Sequence, residues 1–410
     1  MLNFLASIGT LGKSAIAALA LGGLAFFATR SAAVVPLPAY NVNPSTVSVS
    51  GLSSGGYMAA QMHVAYSKTI AKGAAIIAGG PVYCSQGKLD IATGPCMEGD
   101  GSRELSKLLS AINDWAANGR IDPTSNLRDD RVYLFSGTKD STVRQPVMDD
   151  LKTMLEAYVP AKNITYRNTI AAEHGMPTDD YGNACDEKGN PFINDCDLDV
   201  AGELLKWVYG PLTGRNSGTL AGSFINFDQK PFWGNRDPAN HGMANDGWAY
   251  VPAGCAAGKP CRLHVAFHGC KQNAATVGDD FYRNAGYNEW ADANAIIVLY
   301  PQAKATFSNP NGCWDWWGHD DVNFAVKSGG QMVAIKTMID RIVSGNAVAP
   351  YTCQDWYASN DAHVRNGRAY ASGGNAFAKD SNQYLGFHSA MAYTNVHSTA
   401  PGYFAYGTCS

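Results

Sequence analysis

Residues 47–62, VSVSGLSSGGYMAAQM, alternate Val47 and Val49 with Ser48 and Ser50, then pass through a glycine-framed serine pair into a stretch of helix-forming residues. Alternation with period two predicts a β-strand, and GGYMAAQMHVAYS predicts a helix. Between them, Gly51-Leu52-Ser53-Ser54-Gly55 matches G-x-S-x-G, a strained strand-to-helix turn that exposes a serine hydroxyl while the glycines remove side chains that would clash. The bare match is weak in a chain with 43 glycines, and an ordinary Gly/Ser loop competes with it. The flanking strand and helix are the context the turn requires, so Ser53 is the candidate nucleophile.

Beyond this stretch, GAAIIAGG, RVYLFSGTKD, ITYRNTIAAEHG, LHVAFHGCKQN and AIIVLYPQA predict short apolar strands. Residues 103–118, VMDDLKTMLEAYV and GGQMVAIKTMIDRIVS predict helices. Strands spaced by helices imply an α/β fold, a mostly parallel sheet with helices on both faces. No flexible linker interrupts residues 40–345.

A nucleophilic serine needs a base and an acid that orients it, and in α/β-hydrolases the chain order is serine, acid, histidine. Asp140 follows the apolar strand VYLF, and His174 follows the next strand, in AAEHGMP, so Ser53, Asp140 and His174 keep that order. Catalytic groups of open α/β sheets gather at the carboxyl ends of strands, which suits both residues. Asp149, Asp150, Asp179 and Asp180 are rivals for the acid, and a turn or capping role competes for Asp140. The other eight histidines show no HExxH or comparable metal spacing.

The oxyanion of such a reaction needs two donors: the amide of the residue after the nucleophile, here Ser54, and an amide in a loop carrying an HG motif. VAFHGCKQN supplies that motif with Cys270 at the donor position, but more than two hundred residues after Ser53 rather than before it. A circular permutation accounts for the order. Strands that usually follow the serine come first, the usual N-terminal half is appended behind them, and the helix near residues 329–344 is the one that normally leads into the serine-bearing strand.

Composition limits the partners. The net charge of −4 comes with no basic block, so nucleic acid is not expected. Charged residues are 16% of the chain, against about 25% in ordinary soluble domains. Residues 1–33 predict a signal peptide: Lys13 precedes SAIAALALGGLAFFAT, and Ser31 and Ala33 fit a small-x-small cleavage site. Secretion to the periplasm or the medium is therefore expected, with no stable membrane association after cleavage. The ten cysteines agree with an oxidising compartment. Neighbour pairing predicts Cys84 with Cys96, Cys185 with Cys196, Cys255 with Cys261, Cys270 with Cys313 and Cys353 with Cys409, and the absence of CxxC spacing argues against structural zinc.

Seven segments, GLSSGG, IIAGGPVYC, GTKD, YGNACDEKGNPFINDCD, HVAFHGCKQN, VLYPQA and NPNGCWDWWGH, resemble in this order the extracellular short-chain-length polyhydroxyalkanoate depolymerases with a permuted, type 2 catalytic domain. The resemblance covers roughly residues 40–345. It implies a circularly permuted α/β-hydrolase fold, no cofactor, and hydrolysis of poly(3-hydroxybutyrate)-type polyester to oligomers or monomers; a monomeric protein is expected. Carried over residue by residue, it implies Ser53, Asp140 and His174 as the triad and the Ser54 and Cys270 amides as the oxyanion hole, as the residues themselves do. A secreted esterase acting on feruloyl or acetyl groups of polysaccharide, or on small esters, remains the alternative. A binding protein on an inactive hydrolase scaffold is disfavoured by the intact serine, acid and histidine.

Two features are left open by the sequence. Trp314, Trp316 and Trp317 in GCWDWWGHD either line a cleft for a methyl-bearing chain or pack internally. Residues 349–410, set apart from a catalytic unit of residues 34–348, form either a small module that adsorbs to a polymer surface, with Trp356, Tyr357, Tyr370 and Tyr384 as its contacts, or a cap on the catalytic unit. A Cys353–Cys409 bridge there stabilises the loop it closes by about 4 kcal/mol in the chain-entropy picture.

Overall fold

The structure, a computed structural model, describes residues 34–99, 103–345, 353–400 and 403–409. The expected signal peptide, residues 1–33, and the expected boundary at 348 lie outside the described residues.

Eight strands form the central sheet: β1 (Val42–Leu52), β2 (Gly73–Ile77), β3 (Arg131–Phe135), β4 (Ile164–Arg167), β5 (Ser223–Asp228), β6 (Asp246–Val251), β7 (Cys261–Phe267) and β8 (Ile296–Tyr300). Their spatial order is β4-β3-β2-β1-β7-β8-β6-β5. The six strands from β4 to β8 pair in parallel, whereas β6 is antiparallel to both β8 and β5. The chain therefore starts in the middle of its own sheet, builds one half with β2 to β4, and returns to build the other half, as the permutation requires. The seam is closed locally. The Tyr40 N–H donates to the carbonyl of Ile342 at 2.8 Å, so the end of the helix α6 (Gly330–Val343) meets the segment entering β1. A Cβ on Gly345 would lie 2.5 Å from the Tyr40 nitrogen, and only glycine allows this approach.

Period-two alternation sorts each central strand between two cores. Val47, Val49, Ala74, Ile76, Val132, Leu134, Leu263 and Val265 face the side covered by α1 (Ser54–Ala65), α2 (Leu105–Ala117), α3 (Gln145–Glu156) and α6. Ala75, Ile77, Tyr133, Phe135, Ala266, Ile296 and Val298 face the side covered by α4 (Val200–Tyr209) and α5 (Tyr287–Asn294). Every residue of α1 is buried, so the helix after the serine runs through the interior.

The VSVS alternation does not mark a wet face. Ser48 and Ser50 are fully buried on the α4/α5 side, where both hydroxyls contact the ring of His264, Ser48 at Nδ1 and Ser50 at Nε2, each at 2.7 Å. Tyr209 and Tyr287 complete this polar patch, at 2.7 Å from Ser48 and 2.8 Å from Ser50. Burial pushes the His264 pKa down to about 3. The ring is neutral and serves as a hydrogen-bonding strut between strands.

Residues 353–409 carry two three-stranded sheets around a small core of Ala369, Ala376, Ala378, Leu385 and Val396. All five cysteine pairs expected from the sequence are at bonding distance, including Cys353–Cys409.

Because the folded pKa of His264 lies below the 6.5 of the free side chain, its neutral-state contribution is fully present above pH 6.5 and is lost as pH falls toward about 3. A His264→Gln protein keeps a donor and an acceptor for the serines but cannot take up that proton. Its deficit in Tm relative to the native chain should shrink between about pH 7.5 and about pH 5 in thermal unfolding. A deficit independent of pH would refute the neutral-strut account.

Candidate active site

The glycines around Ser53 are dictated by backbone meeting backbone. A Cβ on Gly51 would lie 2.2 Å from the Gly55 carbonyl oxygen, and a Cβ on Gly55 would lie 2.4 Å from the carbonyl of Phe267 at the end of β7. Between them Ser53 takes φ 57° and ψ −123°, a strained conformation for a residue with a side chain. The Ser53 N–H donates to Ile77 at the end of β2, at 2.9 Å, which anchors the turn to the sheet. The Ser53 side chain reaches a cavity of about 630 Å³.

The loops after β3 and β4 bring Asp140 and His174 together beside that cavity. His174 Nδ1 lies 2.9 Å from Asp140 Oδ2 and 3.1 Å from Oδ1, and both residues are buried. Asp140 Oδ1 also accepts the amides of Thr142 and Val143 at 2.9 and 2.8 Å, which holds the carboxylate in its loop. The two loops are joined by backbone: Thr138 N–H donates to Ile170 and Lys139 N–H to Ala172. A Cβ on Gly137 would lie 2.1 Å from the Ala172 carbonyl, so glycine is required where they meet. His174 lines the cavity with Ser53. The rivals Asp149, Asp150 and Asp179 are engaged by Tyr166, Arg103 and Arg215, and none of the four, Asp180 included, contacts His174 among the described residues, as Asp140 does.

Ser54 and Cys270 line the same cavity. As the first residue of α1, Ser54 has no intrahelical acceptor for its N–H. The Cys270 N–H makes no hydrogen bond to a described residue. Its direction follows from the neighbouring carbonyl. The Ala303 N–H donates to His268 Nε2 at 3.0 Å, which leaves the proton on Nδ1, and Nδ1–H donates to the Gly269 carbonyl at 2.7 Å. Gly269 C=O and Cys270 N–H belong to one planar trans peptide, so a carbonyl tied to His268 turns the amide the opposite way. Burial pushes the His268 pKa down to about 4, which preserves this tautomer at neutral pH. The loop is fixed further by the Cys270–Cys313 disulfide and by Gln272, whose Oε1 accepts the Gly269 N–H at 2.7 Å while its Nε2 donates to Pro191 and Phe192. The sequence reading does not single out Gln272, because nothing in HGCKQN distinguishes a loop tie from a surface glutamine.

The three tryptophans separate. Trp316 and Trp317 border the cavity, and Trp316 stacks on Tyr57 at 4.0 Å between ring centres. Trp314 does not line it, which corrects the expectation that all three face substrate. It is 0% exposed, and its Nε1–H donates to the His268 carbonyl at 2.9 Å, so it supports the Cys270 loop from behind. The loop carrying them is shaped by Asp315, whose carboxylate accepts the amides of Gly318, His319, Asp320 and Asp321. Tyr57, Leu89, Met97, Val143 and Phe192 complete a largely apolar wall. Tyr57, four residues after Ser53 on α1, was within reach of helical periodicity, whereas Met97, Val143 and Phe192 come from loops and Leu89 from a single short helical turn.

The family model described as Esterase PHB depolymerase matches residues 247–400. A poly(3-hydroxybutyrate) depolymerase of Delftia acidovorans is 40% identical over 92% of this chain and 95% of its own length. A polyhydroxybutyrate depolymerase of Talaromyces funiculosus is 43% identical over 76% of this chain and 94% of its own. The chain belongs to the PHB depolymerase family. Depolymerases of this family are carboxylic ester hydrolases, and the resemblance drawn from the seven sequence segments holds. Among solved structures, a PHB depolymerase serine-to-alanine variant complexed with an R3HB trimer matches with a TM-score of 0.72 at 41% identity, over 76% of this chain and 99% of that one. The PHB depolymerase from Penicillium funiculosum matches with a TM-score of 0.71 at the same identity and coverage.

If His268 aims the Cys270 amide, His268→Ala should lower kcat on a soluble nitrophenyl ester by about a hundredfold, the scale of one lost oxyanion donor, with little change in KM. A kcat within a factor of about three of the native value in a folded variant would remove His268 from this role.

Proposed function

We propose that the chain is an exported serine esterase that hydrolyses poly(3-hydroxybutyrate)-type polyester through Ser53, His174 and Asp140. The observation that carries this reading is the 2.9 Å contact from His174 Nδ1 to Asp140, with His174 and a strained serine lining one cavity. Held on Asp140, Nδ1 keeps its proton and leaves Nε2 as the base. Nε2 takes the Ser53 hydroxyl proton as Oγ attacks the ester carbonyl, and the Ser54 and Cys270 amides receive the negative charge. Collapse of that intermediate breaks the ester C–O bond, and the imidazolium returns the proton to the departing alcohol. Water, deprotonated by the same nitrogen, then releases the acyl group as the acid. The apolar wall built from Leu89, Val143, Phe192 and Trp316 suits a chain whose repeat carries a methyl group. Five disulfides agree with export.

The substrate reading is supported by the activities named for the relatives. Ser53→Ala should abolish release of soluble hydroxy acid from poly(3-hydroxybutyrate) granules. Ser54→Ala should cost far less, because the amide is retained and only a 3.3 Å contact from the Trp314 N–H to its hydroxyl is lost. Parallel assays on granules, a feruloyl or acetyl ester and a nitrophenyl ester decide the substrate class; full activity of Ser53→Ala on all of them would defeat the proposal.

For residues 349–410 the exposed rings favour the adsorption reading: Tyr357 is 70% exposed, Tyr384 56% and Phe387 71%, whereas Trp356 is half-buried against Phe404. Combined Tyr357→Ala and Tyr384→Ala substitution should weaken granule binding and leave hydrolysis of a soluble ester unchanged. Unaltered granule binding would return the segment to a cap.

A further inference from the structure

We infer that Glu173 is a positioning residue that locks the acid loop onto the base loop. This rests on the reading of Asp140 and His174 as the acid and base. One carboxylate oxygen, Glu173 Oε1, accepts three hydrogen bonds: the His174 N–H at 2.9 Å, the Ser141 N–H at 2.9 Å and the Ser141 hydroxyl at 3.0 Å. His174 and Ser141 are the residues on which the Asp140–His174 contact depends, one being the base itself and the other the immediate neighbour of the acid. Glu173 thus spans the pair from behind, outside the cavity lining.

The surrounding bonds show why such a clamp is needed. The backbone ties between the loops, from Thr138 to Ile170 and from Lys139 to Ala172, end before either functional side chain is reached. From there the two loops are joined, among the described residues, by the Asp140–His174 contact and the Glu173 oxygen. Glu173 is itself held, because its N–H donates to Cys185 at 2.9 Å, in the segment closed by the Cys185–Cys196 disulfide. Ser141 is held from the other side by the Lys188 ammonium at 2.7 Å. Three hydrogen bonds on one accepting oxygen fix the position of the His174 backbone relative to the Asp140 turn. Misplacement of a catalytic group by an ångström costs up to a hundredfold in rate, so the effect belongs in kcat rather than in binding.

The test compares Glu173→Ala, Glu173→Gln and Glu173→Asp in the full chain, with kcat and KM on a soluble nitrophenyl ester, Tm, and the rate at which an organophosphonate labels Ser53. Glu173→Ala should lower kcat and the labelling rate together by about tenfold or more, with KM unchanged. Glu173→Gln, which retains an accepting oxygen at the same reach, should restore most of both. Glu173→Asp keeps the charge but withdraws the oxygen by one methylene, and should resemble the alanine variant. A Glu173→Ala protein that is folded and has native kcat would overturn the assignment, as would a Glu173→Gln protein as impaired as the alanine one. Should the alanine variant fail to fold, a native kcat in Glu173→Asp overturns it equally. Failure of the triad reading looks different, since Ser53→Ala would then remain active.

Discussion

Three backbone segments meet around Ser53 at distances that leave no room for a side chain: Gly51 against the Gly55 carbonyl, and Gly55 against Phe267 and His268. The rest of the site depends on this contact. It forces the chain to turn within one residue from β1 into α1, which puts Ser53 at φ 57° and aims the start of α1 at the cavity. It also brings the end of β7 against the turn, so the loop that carries Cys270 stands next to the Ser54 amide. The strain at Ser53 is sustained because both flanking elements are immobilised by burial, α1 along its full length and β1 between two parallel neighbours.

The order of the sheet explains how the early Ser53 and the late Cys270 loop line one cavity. Carboxyl ends of parallel strands lie on one edge of a sheet whatever their order along the chain, so β1, β3, β4 and β7 deliver Ser53, Asp140, His174 and Cys270 to one side. Permutation changes only where the chain is cut. The cost is a seam, and here it is closed by the Tyr40 to Ile342 hydrogen bond and the close contact at Gly345.

The legible part of the fold is the part whose signal is local. Apolar runs such as GAAII, RVYLF and IIVLY are buried on both faces, and each forms a strand where it was expected. Strands β5 and β6 escaped because SFINFD and DGWAYV mix polar and aromatic residues at the antiparallel end of the sheet, where the pattern of a buried strand weakens. That His174 meets Asp140 and shares a cavity with Ser53 was foreshadowed by the order of the three residues and their places after strands. What lay beyond reach was orientation: WDWW offers three equivalent indoles, and only the packed loop shows that Trp314 turns inward to His268 while Trp316 meets Tyr57. Likewise the Ser48 and Ser50 hydroxyls look solvent-directed until His264 is seen between them.

Histidine illustrates why composition and even pairing are insufficient. His264 is bounded by two serine hydroxyls and His268 by an amide and a carbonyl, so both ring nitrogens of each are already engaged and burial keeps each ring neutral. His63 presents a closer likeness to a catalytic pair: its Nε2 lies 2.8 Å from Asp130 Oδ2, with both side chains buried. Yet neither His63 nor Asp130 touches the cavity, and the remaining nitrogen, Nδ1, is enclosed without a hydrogen-bond partner among the described residues. A base must offer its second nitrogen to a proton that a reacting group can bring to it. His174 differs from His63 in that respect: its carboxylate contact, made through Nδ1 rather than Nε2, is set after a parallel strand, on the edge where Ser53 and an open cavity already lie.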